Sequence, residues 1–274
     1  MANNIEETLL LPTNPDAEPP LKSKIGKELK LIWRVAIPGV ISRVTSFGLI
    51  VVTQMFLGHV GAVVLAAFAL DQTVILRFVN AIMIGMSSAT ETLCGQAFGA
   101  QQYHMMGIYL QRSWIVNLST VTVCVPFFIF AKQILIAIGQ DKSVAEAAGV
   151  VSLWLIPVSY SFAFTFSTQM YLQSQMKNKI VAWLTAPCFL LHIALSFLLV
   201  IALNLGLAGA LIPFISVNWI IAIGCIVYIV GGWCPETWRG FDMAALSSLW
   251  PVVKLSAASG LMLWYSSLSS ICSS

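Results

Sequence analysis

The sequence predicts an all-α, polytopic integral membrane protein built from six complete hydrophobic spans and part of a seventh. The first observation behind this is compositional: 58% of the 274 residues are hydrophobic and only 9% are charged, with a mean hydropathy of +0.88. Soluble domains carry about a quarter charged residues, so a soluble chain of this size could not cover its own surface. The second is that the apolar residues fall into separate runs of about 20, the length a helix needs to cross the hydrocarbon core of a bilayer. The third is the sidedness of Lys and Arg between those runs.

The spans follow in order. The first runs from about Leu31 to Phe56, and the second from about Val63 into Ile82–Ser88, with room to extend as a helix. The third covers Ile108–Ala131, the fourth Ala147–Leu172, the fifth Ile180–Leu203 and the sixth Leu207–Val230. Residues 31–232 thus form one transmembrane unit, 233–249 a cytosolic linker, and 250–274 a partial seventh helix that ends in a Ser-rich tail. Residues 1–30 carry Glu6, Glu7, Asp16 and Glu18 beside Pro12, Pro15, Pro19 and Pro20. They lack the basic start and apolar core of a signal peptide and read as a disordered cytosolic tail.

With the N-terminus inside, ten cations lie on the inner side (Lys22, Lys24, Lys27, Lys30, Arg34, Arg112, Lys177, Lys179, Arg239, Lys254) and two on the outer side (Lys132, Lys142). Cytoplasmic loops hold the excess of Lys and Arg, which predicts a cytosolic N-terminus. The net charge of +3 is too small and too dispersed to suggest a nucleic-acid partner. The six cysteines form no CxxC pair and no Cys/His spacing for zinc, so neither metal nor cofactor is expected. No cluster of His, Asp or Ser stands at catalytic spacing, which argues against an intramembrane enzyme. Asn117-Leu-Ser119 matches a glycosylation sequon but falls inside the third span.

Two features point to a moving protein rather than a passive anchor. Pro38, Pro126, Pro157, Pro187, Pro213 and Pro251 fall in six different spans, and only the second lacks one. Each removes a backbone hydrogen bond and bends its helix, and helices that open and close a cavity need such hinges. Charges also lie within the spans. Arg43 is near mid-depth of the first, Arg77 at similar depth on the second, and Asp71 one to two turns nearer the outside. A charge at the bilayer centre costs about 2.5–3.5 kcal/mol on translocon scales, so none is expected to face lipid. An Arg–Asp staple between helices and a water-filled cavity with excess positive charge both remain open at this point. Gln54, Asn80, Asn117, Gln169 and Asn218 could line such a cavity or bridge helices.

The stretch after the second span reads Ser88-Ala-Thr-Glu91-Thr-Leu-Cys94-Gly95-Gln96-Ala-Phe-Gly99-Ala100, continuing through Gly107 to Gln111-Arg112. It resembles the pattern that joins the second and third helices in the plant branch of the MATE (multidrug and toxic compound extrusion) family, also called DETOXIFICATION proteins. Further segments resemble that family in order: Leu155-Ile-Pro157, Tyr171-Leu-Gln173-Ser-Gln175, Gly206-Leu-Ala-Gly209-Ala210, Trp238-Arg-Gly240-Phe241 and Leu249-Trp250 through Ser256. Gly95, Gly99 and Gly107 are expected to make a tight turn followed by close helix contact.

The resemblance implies a twelve-helix antiporter of two six-helix lobes, exporting organic solutes or xenobiotics against inward proton flow. This chain is expected to be its first lobe, truncated in the seventh helix. It implies a bilayer, a small organic solute and protons as partners, and a homo- or hetero-dimer with another lobe. Family members carry coupling acids in the second lobe, one of them on the seventh helix; here Leu261-Met262-Leu263 passes straight to Trp264-Tyr265, without that glutamate. The short chain is therefore expected to need a partner or to be inactive alone. The alternative is a non-transporting regulatory fragment that pairs with full-length transporters. Expected cavity residues are Arg43, Gln54, Asp71, Arg77 and Asn218; expected motif residues are Glu91, Cys94, Gly95, Gln96, Gly99, Gln111 and Arg112. Glu6-Glu-Thr-Leu-Leu10-Leu11 fits an acidic dileucine sorting signal, which favours the vacuolar membrane over the plasma membrane.

Overall fold

Each apolar run forms a helix, because a backbone in lipid must satisfy its own hydrogen bonds. A computed structural model describes residues 21–245; the expected sorting signal and partial seventh helix lie outside them. The first span lies in α1 (Leu21–Val60). Helix α2 (Ala62–Gly99) forms the second and α3 (Tyr103–Ile129) the third. A short α4 (Ala131–Ala137) leads to α5 (Lys142–Ser174), the fourth span. Helices α6 (Asn178–Ser196) and α7 (Gly206–Tyr228) form the fifth and sixth. Six helices are long and apolar enough to cross a membrane among the described residues. Helix α1 begins at Leu21, so the expected disordered tail is helical over its last ten residues.

The helices pack as one bundle. Helix α1 lies against α6 and α2, α3 and α2 against α5, and α7 against α5 and α6. The main core holds Leu57, Phe68, Met83, Phe128, Leu155 and Phe214. A second cluster sits at the end carrying the 100–102 and 175–177 turns, and includes Cys94, Met106, Trp114, Tyr171 and Trp238. That end is called here the motif end. At the opposite end Asp141 caps α5, its carboxylate accepting from Ser143 N at 2.8 Å. The Ser143 hydrogen bonds hold that carboxyl below the usual carboxylate range. Lys132 pairs with Glu146 at 3.0 Å on the same end.

Prolines lie inside α1, α3, α5, α6 and α7 at positions 38, 126, 157, 187 and 213. The span without a proline carries a different irregularity: α2 becomes π-helical over Asp71–Leu76. A π turn inserts one residue into the ladder and re-aims the side chains on either side. The fifth and sixth spans also end in π turns, Phe197–Ala202 and Ile229–Trp233. Gly209 lets α7 meet the end of the fifth span, since a Cβ there would stand 2.8 Å from Leu199 O.

Candidate functional site

The five expected cavity residues separate into two environments. Arg43 and Arg77 are both exposed on the surface of the lobe, and Gln54 is half-buried. Asp71 is fully buried, and its Oδ1 accepts from Ser152 Oγ at 2.7 Å. Asn218 is buried too, its amide donating to Phe214 O at 2.7 Å. No ion pair joins Asp71 to Arg43 or Arg77 among the described residues, so the Arg–Asp staple is absent. The π turn starts at Asp71 and places its carboxyl toward α5, while Arg77 lies at the far end of that turn on the outer surface. The five do not share one environment: Asp71 and Asn218 are buried, Gln54 is half-buried and the arginines are exposed. The groove between α2 and α3, about 480 Å³, is apolar and lined by Phe78, Ile82, Met86, Val123 and Phe127; it contains none of them.

Two exposed arginines do not contradict the cost of a charge in lipid. At depth in a bilayer such a charge takes water or a polar neighbour as its cover.

A buried polar seam lies elsewhere, where α2, α3 and α5 meet. Asn117 Nδ2 donates to Ser87 Oγ at 2.8 Å and to Ser167 Oγ at 2.6 Å. Thr90 hydrogen-bonds Ser113, and Trp114 Nε1 donates to Thr168 Oγ1 at 3.2 Å. Small side chains let three helices approach closely and hydroxyls bridge them. Asn117 is 1% exposed, so the sequon asparagine is a core residue.

At the motif end the expected motif residues take different roles. Glu91 accepts from Gln173 Nε2 at 3.4 Å, tying α2 to α5. Cys94 is buried in the second cluster, and the Arg112 guanidinium lies 6.0 Å from the Tyr109 ring centroid. Gln96 is exposed. Gly95 and Gly99 are exposed as well, inside α2, and a Cβ on either would meet nothing within 4 Å. The expected glycine turn is thus corrected. The chain turns one step later, and Gln101 takes the left-handed conformation at φ 57°. Gly107 does make a close contact, though with the linker rather than a helix: a Cβ there would stand 2.7 Å from Thr237 O.

That contact belongs to a clamp. Gln111 Nε2 donates to Gly240 O at 3.0 Å, and its Oε1 accepts from Asp242 N at 3.0 Å. Tyr171 Oη donates to Thr237 Oγ1 at 2.7 Å, which donates onward to Gln175 Oε1 at 3.0 Å. Lys177 Nζ donates to Trp233 O at 2.9 Å. Trp238 packs against Trp114 and Phe241, with centroids 5.9 and 5.3 Å away. Residues 234–242 are therefore fastened along α3 and α5. Beneath them Cys234 is 1% exposed, and burial pushes its thiol pKa up against the opposing Lys177 ammonium. Sequence reasoning did not single out Thr237 or Ser152 and counted Lys177 only as a loop cation; their partners are distant in sequence, although Gln111 and the Tyr171–Gln175 and Trp238–Phe241 matches name other parts of the clamp.

No group of three or more metal-ligating side chains occurs among the described residues.

The MatE family profile matches residues 38–198. Among curated relatives, Protein DETOXIFICATION 25 of Arabidopsis thaliana is 49% identical over 252 residues, covering 90% of this chain and 51% of its own length. Protein DETOXIFICATION 23 of the same plant is 47% identical over 253 residues, again covering 90% of this chain and 51% of its own. The crystal structure of the eukaryotic MATE transporter AtDTX14 superposes with a TM-score of 0.82 at 25% identity, over 86% of this chain and 53% of that one. A MATE in the bent conformation shares the fold, with a TM-score of 0.75 at 15% identity over 88% of this chain and 54% of that one. The chain thus spans about half the length of the relatives it matches.

Proposed function

Since the chain belongs to the MATE family of membrane transporters, we propose that it is the first lobe of a proton-coupled antiporter that exports organic solutes or xenobiotics, and that it needs a second lobe to transport. The observation that supports this is the position of Arg43 and Arg77. Both are exposed, whereas Asp71, Asn117 and Asn218 are buried within the bundle. A charge at that depth needs water or a polar neighbour, and a facing lobe would enclose both arginines in a cavity. Gln54, half-buried on α1, would line the same wall.

The N-terminus and the motif end face the cytosol in this reading, following the ten-to-two distribution of Lys and Arg. The clamp then holds the start of the inter-lobe connection on the cytosolic side. The Glu6–Leu11 segment would direct the protein to the vacuolar membrane, with the plasma membrane as the alternative; on the sorting reading a tagged Leu10→Ala/Leu11→Ala variant moves elsewhere, and an unchanged location would discard the signal.

A reconstituted vesicle assay tests the central reading. The 274-residue chain is inserted alone, and in parallel with the separately expressed second lobe of DETOXIFICATION 25. Export of a fluorescent organic anion and of a fluorescent organic cation is followed under an imposed pH gradient. Transport is expected from the pair alone. Full transport by the single chain would remove the need for a partner, and none from either would remove the transporter reading. The half-length match also supports a second reading, a non-transporting fragment that inhibits full-length relatives. Loss of DETOXIFICATION 25 transport on co-insertion of this chain distinguishes it.

A further inference from the structure

Helix α1 has 40 residues, about 60 Å of helix at 1.5 Å per residue, whereas the hydrocarbon core is about 30 Å thick. Its hydrophobic span starts only at Ala36. The 15 residues before it, 21–35, remain helical over about 22 Å without the apolar composition of a span. They carry Lys22, Lys24, Lys27, Lys30 and Arg34 against one acid, Glu28.

The register separates these charges from the apolar positions. At 100° per residue, positions 27, 30 and 34 share an arc of about 60°, and positions 25, 29, 32 and 36 share another of about 60° on the opposite side. Lys24 flanks the basic arc, while Lys22 and Leu31 fall outside the pattern. Ile25, Leu29, Ile32 and Trp33 are each more than half exposed, and Lys30 is exposed. No described element covers the apolar side. Pro38 stands just past the junction, and a proline there frees the carbonyl of residue 34 and weakens the helix at that point.

We propose that residues 21–35 are an amphipathic arm that lies on the membrane and recognises anionic lipid headgroups. The apolar arc sits at the acyl boundary with Trp33 at headgroup level, where amphipathic aromatic side chains belong. The basic arc meets the negative surface of the leaflet. Clusters of four to eight Lys or Arg beside a span bind anionic lipid through charge, and the excess here falls in that range. Commitment to lipid rather than protein follows from the combination of like charge along one arc, interfacial tryptophan and adjacency to the span. The placement at the cytosolic leaflet rests on the orientation proposed above.

The test uses the full chain in nanodiscs, which expose both faces, so its outcome does not depend on orientation. A Leu29→Cys/Cys272→Ser protein, its buried native cysteines retained, is alkylated with a hydrophilic maleimide. In phosphatidylcholine containing phosphatidylserine, position 29 is expected to react several-fold more slowly than in phosphatidylcholine alone. High salt abolishes the difference. Each Lys or Arg near an anionic surface contributes about fivefold in affinity, so adding Lys27→Gln, Lys30→Gln and Arg34→Gln also abolishes it, whereas Lys132→Gln and Lys142→Gln do not. Equal rates in both lipids overturn the proposal; if both are slow, a protein surface covers the arm, and if both are fast, nothing does. Orientation is read separately, from alkylation of Ala2→Cys in intact cells. Labelling there from outside refutes the cytosolic placement and leaves the lipid result standing.

Discussion

Gln111 and Gly240, 129 residues apart in sequence, are joined by a 3.0 Å hydrogen bond, while the same Gln111 amide accepts from the backbone of Asp242. One side chain on the third span thus satisfies two backbone groups of the linker, one as donor and one as acceptor. Gln111→Ala leaves both without that partner and costs about 1–3 kcal/mol of local stability. Cys234 reports the loss. Its raised thiol pKa and burial keep it slow to alkylate, so lifting the linker is expected to speed Cys234 modification several-fold. Gln111→Glu keeps the acceptor and loses the donor, so it should fall between the two. Unchanged Cys234 reactivity in Gln111→Ala would show that the Thr237 and Lys177 hydrogen bonds and the aromatic contacts of Trp238 hold the linker without Gln111.

The glycines of the motif are expected to behave in opposite ways. Gly95 and Gly99 are helical with open space around them, so Gly95→Ala and Gly99→Ala should each stabilise the protein by about 0.5–1 kcal/mol. Gly107→Ala puts a methyl 2.7 Å from the carbonyl of Thr237, a backbone atom that cannot rotate away. It should lower the melting temperature in detergent and release Cys234 as Gln111→Ala does. If all three alanine variants melt alike, the packing of Gly107 against the linker is not a restraint.

The spans were legible because lipid imposes a length and a composition on any helix that crosses it. All six appear, and the five described span prolines lie inside helices. The π turn at Asp71 was not legible, since one extra residue in a ladder leaves the hydropathy of the run unchanged. The glycines misled because Gly marks turns and exposed helix positions alike, and Gln101 took the left-handed corner instead. The clamp was hidden for a different reason. Its key bonds end on backbone atoms of residues 240 and 242, which leave no trace in side-chain pattern.

Ser152 supplies the described hydrogen bond to the buried Asp71, and Asp71 Oδ2 has no protein partner among the described residues. Ser152→Ala should therefore cost about 1–3 kcal/mol, because it strips a buried polar group of its donor. Removing the carboxyl as well, in Asp71→Leu/Ser152→Ala, should recover most of that loss, since an apolar pair leaves nothing unsatisfied. Thermal melting of the four proteins in one detergent gives the coupling between the two sites. Additive losses would mean that the 2.7 Å contact contributes nothing.

Arg43 and Arg77 provide the contrast, because both are exposed and neither is paired with Asp71. Exposed substitutions away from special features usually change stability by within about 0.5 kcal/mol, so Arg43→Gln and Arg77→Gln should melt with the parent chain. Their effect is expected in transport by the paired lobes instead. A cavity with excess positive charge draws anions and repels cations. Removing one arginine should slow export of an anionic substrate while sparing or speeding that of a cationic one. An equal loss for both substrates would assign the arginines to the contact between lobes, where they fix geometry and select nothing.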